Sequence, residues 1–150
     1  MATAPAFEHP PWSSLMLRGV LKKCGRCGAG HLFDGWFHQK ERCPGCGLKF
    51  EREPGFFVGA YLINFAIVII MLFVLCMGFV AMKAIDHNAS VAPIVIAGLI
   101  IAVVAPVAFY PFSRTIWSAF DVGMTPLEPD EVADAAQALV SARDVDVAEV

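Results

Sequence analysis

Residues 56–82 read FFVGAYLINFAIVIIMLFVLCMGFVAM, 27 positions without one charged side chain and with Asn64 as the only strongly polar one. As a helix the stretch would be about 40 Å long at 1.5 Å per residue. That exceeds the roughly 30 Å hydrocarbon core of a bilayer, so a tilt or an emergent end is expected. After an eight-residue loop, residues 91–110 form a second charge-free block of 20, just enough to span. Pro93 suits a first helical turn, and Pro106 is expected to kink or end the helix. Buried helices of soluble proteins are rarely free of charge for so long. In a chain of 150 residues that is 57% hydrophobic, too little polar sequence remains to cover two of them. The two blocks therefore read as a transmembrane hairpin in contact with lipid, spans 56–82 and 91–110.

Charge orients the hairpin. Before the first span stand Arg18, Lys22, Lys23, Arg26, Lys40, Arg42, Lys49 and Arg52; the loop holds only Lys83 and Asp86. Basic residues flanking the first span decide topology, and acids count little. Both termini are thus expected in the cytoplasm, with the protein multi-pass in the inner membrane. The net charge of −3 hides a polarity: residues 1–55 carry eight basic against five acidic groups, and residues 111–150 two against eight. The first 20 residues include Pro5, Glu8, Pro10 and Pro11 and lack an apolar core, so no cleavable signal peptide is expected.

Upstream of the first span lie Cys24-Gly-Arg-Cys27-Gly and Cys43-Pro-Gly-Cys46-Gly, a C-x2-C-x15-C-x2-C pattern. Two cysteines two residues apart can grip one ion only if the backbone turns sharply, and Gly28 and Gly47 ease that turn because glycine tolerates positive φ. Two such turns facing each other give the four-thiolate shell of a structural zinc site. Cys24, Cys27, Cys43 and Cys46 are therefore the expected metal ligands in a small β ribbon over residues 22–52, with strands near 31–37 and 48–51. A redox dithiol reading lacks the βαβ unit it normally sits on, and structural disulfides conflict with a cytoplasmic location. Iron suits the same shell, and Cys43-Pro-Gly-Cys46-Gly also resembles a rubredoxin knuckle; zinc is preferred because rubredoxins separate their knuckles further.

Around these units the remaining chain is less defined. Residues 1–21 read as a disordered or interfacial segment, with Trp12, Met16, Val20 and Leu21 at helical spacing and Gly19 weakening the helix. Residues 111–150 read as an interfacial segment, with Phe112, Arg114, Ile116, Trp117 and Phe120 at the headgroup belt, followed by an acidic cytoplasmic tail. In that tail Asp130 is expected to cap a helix to about Ala142, more a solvated end than a docking segment. Asn64 should hydrogen-bond across the hairpin or to a partner helix, and Gly98, Ala102 and Ala105 form a small-residue face for close packing. Leu32, Phe33, Trp36 and Phe37 are more apolar bulk than so small a ribbon can bury, so some must meet the membrane, the second half of the chain or a partner.

Taken in order, Cys24-x-x-Cys27-Gly, then Gly30-His31-Leu32-Phe33-Asp34-Gly35, then Cys43-Pro-x-Cys46-Gly-Leu48, then Glu53-Pro54-Gly55-Phe56-Phe57 leading into the hairpin resemble the bacterial domain-of-unknown-function 983 family over roughly residues 17–120. The sequence after Pro126 lies outside the resemblance. Where many relatives open the first helix with Asp-Gly-Pro-Ala, this chain has Glu53-Pro54-Gly55-Phe56-Phe57. The resemblance implies a small inner-membrane protein with a cytoplasmic metal ribbon and no established activity. Its genes in some proteobacteria lie near those for haem–copper oxidase assembly, which points weakly to respiratory oxidase maturation.

No catalytic constellation is expected. His31 and His38 sit in the ribbon, and His9 and His87 lie far from it; there is no Ser/His/Asp set, paired carboxylates or Gly-rich phosphate loop, and Asp34 and Glu53 read as turn and membrane-edge residues. Cys76, Met71, Met77 and Met82 invite a copper reading, but Cys76 and Met77 diverge on a helix and Met71 and Met82 lie about 16 Å apart. Trp36 and Phe37 beside Lys40 and Arg42 could stack on single-stranded bases, yet so small a positive charge pressed against a leaflet argues against nucleic acid. The expectation is a non-enzymatic interaction or assembly module with a membrane-protein partner or a second copy of itself. The alternative is a membrane-tethered, rubredoxin-like electron carrier with iron at the same cysteines.

Overall fold

The computed structural model describes residues 10–148 and contains, in chain order, α1 (Trp12–Val20), β1 (Phe33–Asp34), β2 (His38–Gln39), α2 (Val58–Ile85), α3 (Ala92–Met124) and α4 (Pro129–Ala148). The proposed disorder of the extreme N-terminus falls on residues 1–9, outside the described residues.

Helices α2 and α3 are each long and apolar enough to cross a membrane. They pack side by side as a hairpin, with Gly98 facing Leu72 and Leu75. The small-residue position of the second block is thus used within the hairpin. Large side chains such as Phe65, Phe73, Leu99 and Val103 point outward and are exposed. The connecting turn is closed by Asp86, whose Oδ1 accepts the Asn88 N–H at 3.0 Å, and by Lys83, whose Nζ donates to the His87 carbonyl at 2.9 Å.

Contrary to the sequence expectation, α3 neither ends at Pro106 nor at residue 110; it continues through Pro106 and Pro111 to Met124. A proline inside a helix removes the N–H that would bond four residues back and crowds that carbonyl. Here the acceptor freed by Pro111 is used by a side chain. The Trp36 indole N–H donates to the Val107 carbonyl at 2.7 Å, the acceptor that Pro111 would otherwise leave empty, and Asn64 Nδ2 donates to the Pro106 carbonyl at 2.9 Å. Asn64 therefore bonds across the hairpin, one of the alternatives read from sequence.

Beyond Pro111 the helix changes character. Ser113, Thr115, Ser118, Ala119 and Val122 are buried, and α1 packs against the face of Thr115 and Ala119. Residues 12–20 are thus an ordered helix docked on protein, which corrects the disordered reading for this part of the segment. Gly19 is the reason the approach is possible: a Cβ there would lie 3.1 Å from the Ala119 Cβ and 3.1 Å from the Ile116 Cα. Thr115 Oγ1 donates to the Gly19 carbonyl at 2.7 Å, and Trp12 packs edge-on against Phe120 with ring centroids 5.6 Å apart.

The ribbon is smaller in regular structure than its sequence implied. β1 and β2 form a two-stranded antiparallel hairpin with Phe33 opposite Gln39 and Asp34 opposite His38. His31 adopts a left-handed φ of 57° and Gly35 one of 80°, which trims the expected 31–37 strand to two residues. The second expected strand is reduced to one bridge between Arg42 and Lys49. The core is shared, not local: Leu32, Leu48 and Phe50 of the ribbon cluster with Leu15 of α1 and Val122 of α3. The surplus aromatics meet the second half of the chain, with Phe37 against Tyr110 at 5.4 Å and Lys22 over both Trp36 and Phe112.

Replacing Gly19 tests this seating. Gly19→Leu forces α1 away from Thr115 and Ala119 and is expected to cost about 1–3 kcal/mol, as overpacked contacts do. Thermal unfolding of the detergent-solubilised protein, followed by circular dichroism, measures it.

Candidate metal centre

Each cysteine pair sits in a turn built by the same local bonds. In the first, the Gly28 N–H donates to the Cys24 carbonyl at 2.8 Å and the Cys24 N–H to the Ala29 carbonyl at 2.8 Å; in the second, Gly47 donates to Cys43 at 2.9 Å and Cys43 to Leu48 at 2.9 Å. Gly28 and Gly47 adopt φ of 78° and 69°, the left-handed backbone expected of the residue after each second cysteine. Gly45 was not singled out by the spacing, yet a side chain there would lie 2.7 Å from the Ala29 Cβ and 3.2 Å from the Cys27 Sγ. Its absence lets the two turns close on each other.

The result is a cluster in which the sulfurs of Cys24, Cys27, Cys43 and Cys46 all lie within 4.8 Å of one another. Cys24 and Cys46 are separated by 3.8 Å and Cys27 and Cys43 by 3.6 Å. A tetrahedral ion at the usual metal–sulfur distance of 2.3 Å requires sulfur–sulfur edges of about 3.8 Å. The donor set and the spacing fit a four-thiolate metal ion, and zinc and iron share that geometry. Crowding already splits the thiols: hydrogen bonds from Cys24, then Cys46, together with the Gly45 and Cys46 N–H groups, pull Cys43 down to about 2, while Cys24 as donor to Cys43 is pushed up. Cys24 and Cys43 are buried, and Cys27 reaches the surface. Cys76 lies apart and exposed on α2, and His31 is exposed and outside the cluster.

Three helices hold the centre. Arg18 of α1 donates to the carbonyls of Gly25 and Arg26 at 3.0 and 3.1 Å, bracing the first turn. Gly25 lies against α3, where a Cβ would be 3.1 Å from the Ala119 Cα. The second turn is covered by α4, because any side chain on Gly47 would overlap the backbone of Ala135. The tail is therefore a docked element, not the solvated end expected from its composition. Its first turn is closed by Glu131, which accepts the Glu128 N–H at 2.9 Å, so Asp130 is not the capping side chain.

Ion pairs fasten α4. Arg52 grips Glu131 through Nε and Nη2 at 2.6 and 2.7 Å and reaches Asp121 at 2.8 Å. Arg42 joins Asp134 at 2.8 Å while also donating to the Gly47 carbonyl at 3.3 Å. A bidentate guanidinium in a partly buried network is the arrangement in which ion pairs contribute measurably. The sequence reading missed these residues; the signal available was the opposition of a basic N-terminal half and an acidic C-terminal half.

A four-cysteine metal-type ribbon joined to a hairpin of two helices long and apolar enough to cross a membrane is the class of protein that this arrangement defines. A family model described as "Protein of unknown function (DUF983)" matches residues 33–121, more than half of the chain. The chain belongs to that family. The matched segment includes Cys43, Cys46, α2 and nearly all of α3, begins after Cys24 and Cys27, and ends before α4. No curated protein and no solved structure matches the chain.

Two outcomes check the centre. Elemental analysis of the purified protein should find one transition-metal ion per chain, and Cys43→Ser should reduce it well below stoichiometric. Glu131 is held below its ordinary 4.5 first by the Arg52 hydrogen bonds, against the opposing effect of burial. A depressed native value means that the docking contribution is complete above the ordinary value and is lost as pH falls through the native one. Hydrogen exchange over residues 129–144 should therefore stay slow at neutral pH and accelerate only once the pH has fallen below the ordinary carboxylate value, after correction for the intrinsic rate.

Proposed function

We propose that the protein is an integral inner-membrane protein whose ribbon and two termini lie in the cytoplasm, that its cysteines hold zinc as a structural ion, and that it acts without catalysis as an assembly or interaction module for a membrane complex. One observation carries the reading: the sulfur cluster is closed on itself and wedged between α1, α3 and α4, so its ligand set is complete without a substrate. Structural zinc sites are closed in this way, whereas catalytic ones keep a coordination position open. The ion would supply the rigidity that a ribbon of this size cannot obtain from a core.

The membrane part rests on the two long apolar helices and on their exposed outer faces, and the orientation rests on the basic residues before the first span. The contact of α4 with the ribbon brings both flanks of the hairpin to one end, as an even number of spans requires. Trp36 and Phe37 touch α3 yet stay exposed, so the partner is expected on the outer faces of the hairpin and the ribbon tip beside them. That partner is a second membrane protein, with self-association as the other outcome, and the position of the related genes makes a respiratory oxidase the first candidate.

A second reading, iron at the same site in a membrane-tethered electron carrier, is favoured by one observation, the exposure of Cys27, which would give an electron a short path to solvent. Colour separates the two, since a ferric four-thiolate centre absorbs strongly in the visible and zinc does not.

The assembly reading is tested by crosslinking in membranes followed by identification of the captured chain. Cys46→Ser should lose capture while remaining membrane-inserted; equal capture by the metal-free variant overturns it. For topology, Ala89→Cys in the loop should react with an impermeant maleimide added from outside, with reaction only from the cytoplasmic side reversing the orientation.

A further inference from the structure

A cavity of about 340 Å³ lies where the ribbon meets the start of α2 and the Arg114 turn of α3. Its wall includes Gln39 and Lys49 of the ribbon, Glu41 and Glu51, Phe57 immediately before α2, and Arg114 of α3. Its size is at the lower end of cavities that accept small ligands.

Two of these side chains lack the partners their chemistry demands. Gln39 is only 7% exposed, yet neither its amide oxygen nor its amide nitrogen has a hydrogen-bond partner among the described residues. Arg114 has no carboxylate within ion-pair distance among the described residues, although the other arginines around the ribbon seam, Arg42 and Arg52, are both paired. Its guanidinium lies 3.6 Å from the Phe57 ring centroid and 5.5 Å from that of Tyr110. Stacking on aromatic faces fixes the plane of the group and leaves its N–H fork for something else.

The charge of the wall narrows the ligand. Lys49 and Arg114 are opposed by Glu41 and Glu51, with Lys40 already paired to Asp34 at 3.4 Å. A simple anion would meet the two carboxylates at a cost, whereas a group carrying a phosphate and an ammonium a few atoms apart answers both signs. Height fits as well. Phe57 opens the first apolar helix, and Arg114 stands about one turn past residue 110, where the second apolar block ends, which is headgroup level if the hairpin spans a bilayer.

We propose that this cavity is a binding site for the zwitterionic headgroup of a phospholipid of the phosphoethanolamine class, with the phosphate on Arg114 and Lys49 and the ammonium on Glu41 and Glu51. The Gln39 amide supplies a further donor and acceptor on the inner wall. This inference rests on the membrane reading above, and a lipid seated here would tie the ribbon to the leaflet beneath it.

The test uses the full-length protein purified in detergent and supplied with equal amounts of phosphatidylethanolamine, phosphatidylcholine and phosphatidylglycerol, with retained lipid counted by native mass spectrometry. The wild-type chain should retain one phosphatidylethanolamine in preference to the other two. Arg114→Gln should weaken retention about tenfold, the scale of one good charge-assisted contact, and Lys49→Gln, at an exposed position, should weaken it without altering metal content or melting temperature. Soluble phosphoethanolamine should compete, and inorganic phosphate alone should not. Equal retention of phosphatidylglycerol, or equal competition by inorganic phosphate, overturns the zwitterionic site in favour of a simple anion site. Unchanged retention in both variants overturns the location. Release of the protein from membranes by alkaline carbonate would overturn the membrane reading itself, whereas firm insertion without selective lipid retention would overturn the headgroup site alone.

Discussion

Closure of the two cysteine turns on each other is the constraint on which the other contacts lean. The ribbon has four regular strand residues and shares its core with Leu15 of α1 and Val122 of α3, so its own chain does not contain enough apolar material to hold it shut. Bringing four sulfurs within 4.8 Å crowds groups that, as thiolates, repel one another. A cation at their centre would offset that repulsion. Arg18 and Arg42 brace the carbonyls of the two turns, and Gly25 and Gly47 let α3 and α4 pack against them.

The link to the hairpin follows from a defect. Pro111 leaves the Val107 carbonyl of α3 without its helical donor, at the level where the apolar run gives way to polar and aromatic residues. Unmet carbonyls in an apolar environment are costly, and the ribbon supplies the Trp36 indole N–H, while Asn64 of α2 ties the same stretch of α3 across the hairpin through the Pro106 carbonyl. The ribbon tip therefore completes the hydrogen bonding of α3. The aromatic residues that looked excessive for a small ribbon are the means by which it is attached.

Electrostatics completes the assembly from the other end of the chain. A basic N-terminal half and an acidic C-terminal half meet as Arg52 with Glu131 and Asp121, and Arg42 with Asp134. These contacts lie partly beyond the segment matched by the family model, which stops at residue 121. Helix α4 covers the turn that carries Cys43 and Cys46, with Ala135 against Gly47.

Local chemistry was legible in the sequence wherever a short spacing or an unbroken run settled the matter. Two Cys-x-x-Cys turns with glycine behind each left little freedom in the placement of four sulfurs, and 27 uncharged residues left little choice but a long apolar helix. The continuation of α3 past Pro111 was not legible, because the donor that meets the freed Val107 carbonyl is Trp36, 71 positions away in sequence. Gly19 looked like a weakness of α1 and proved to be its point of closest approach to α3, a distinction that exists only once the partner surface is in place. The acidic tail looked solvated for the same reason: composition gives its charge, while the tertiary structure alone determines that Arg42 and Arg52 stand opposite.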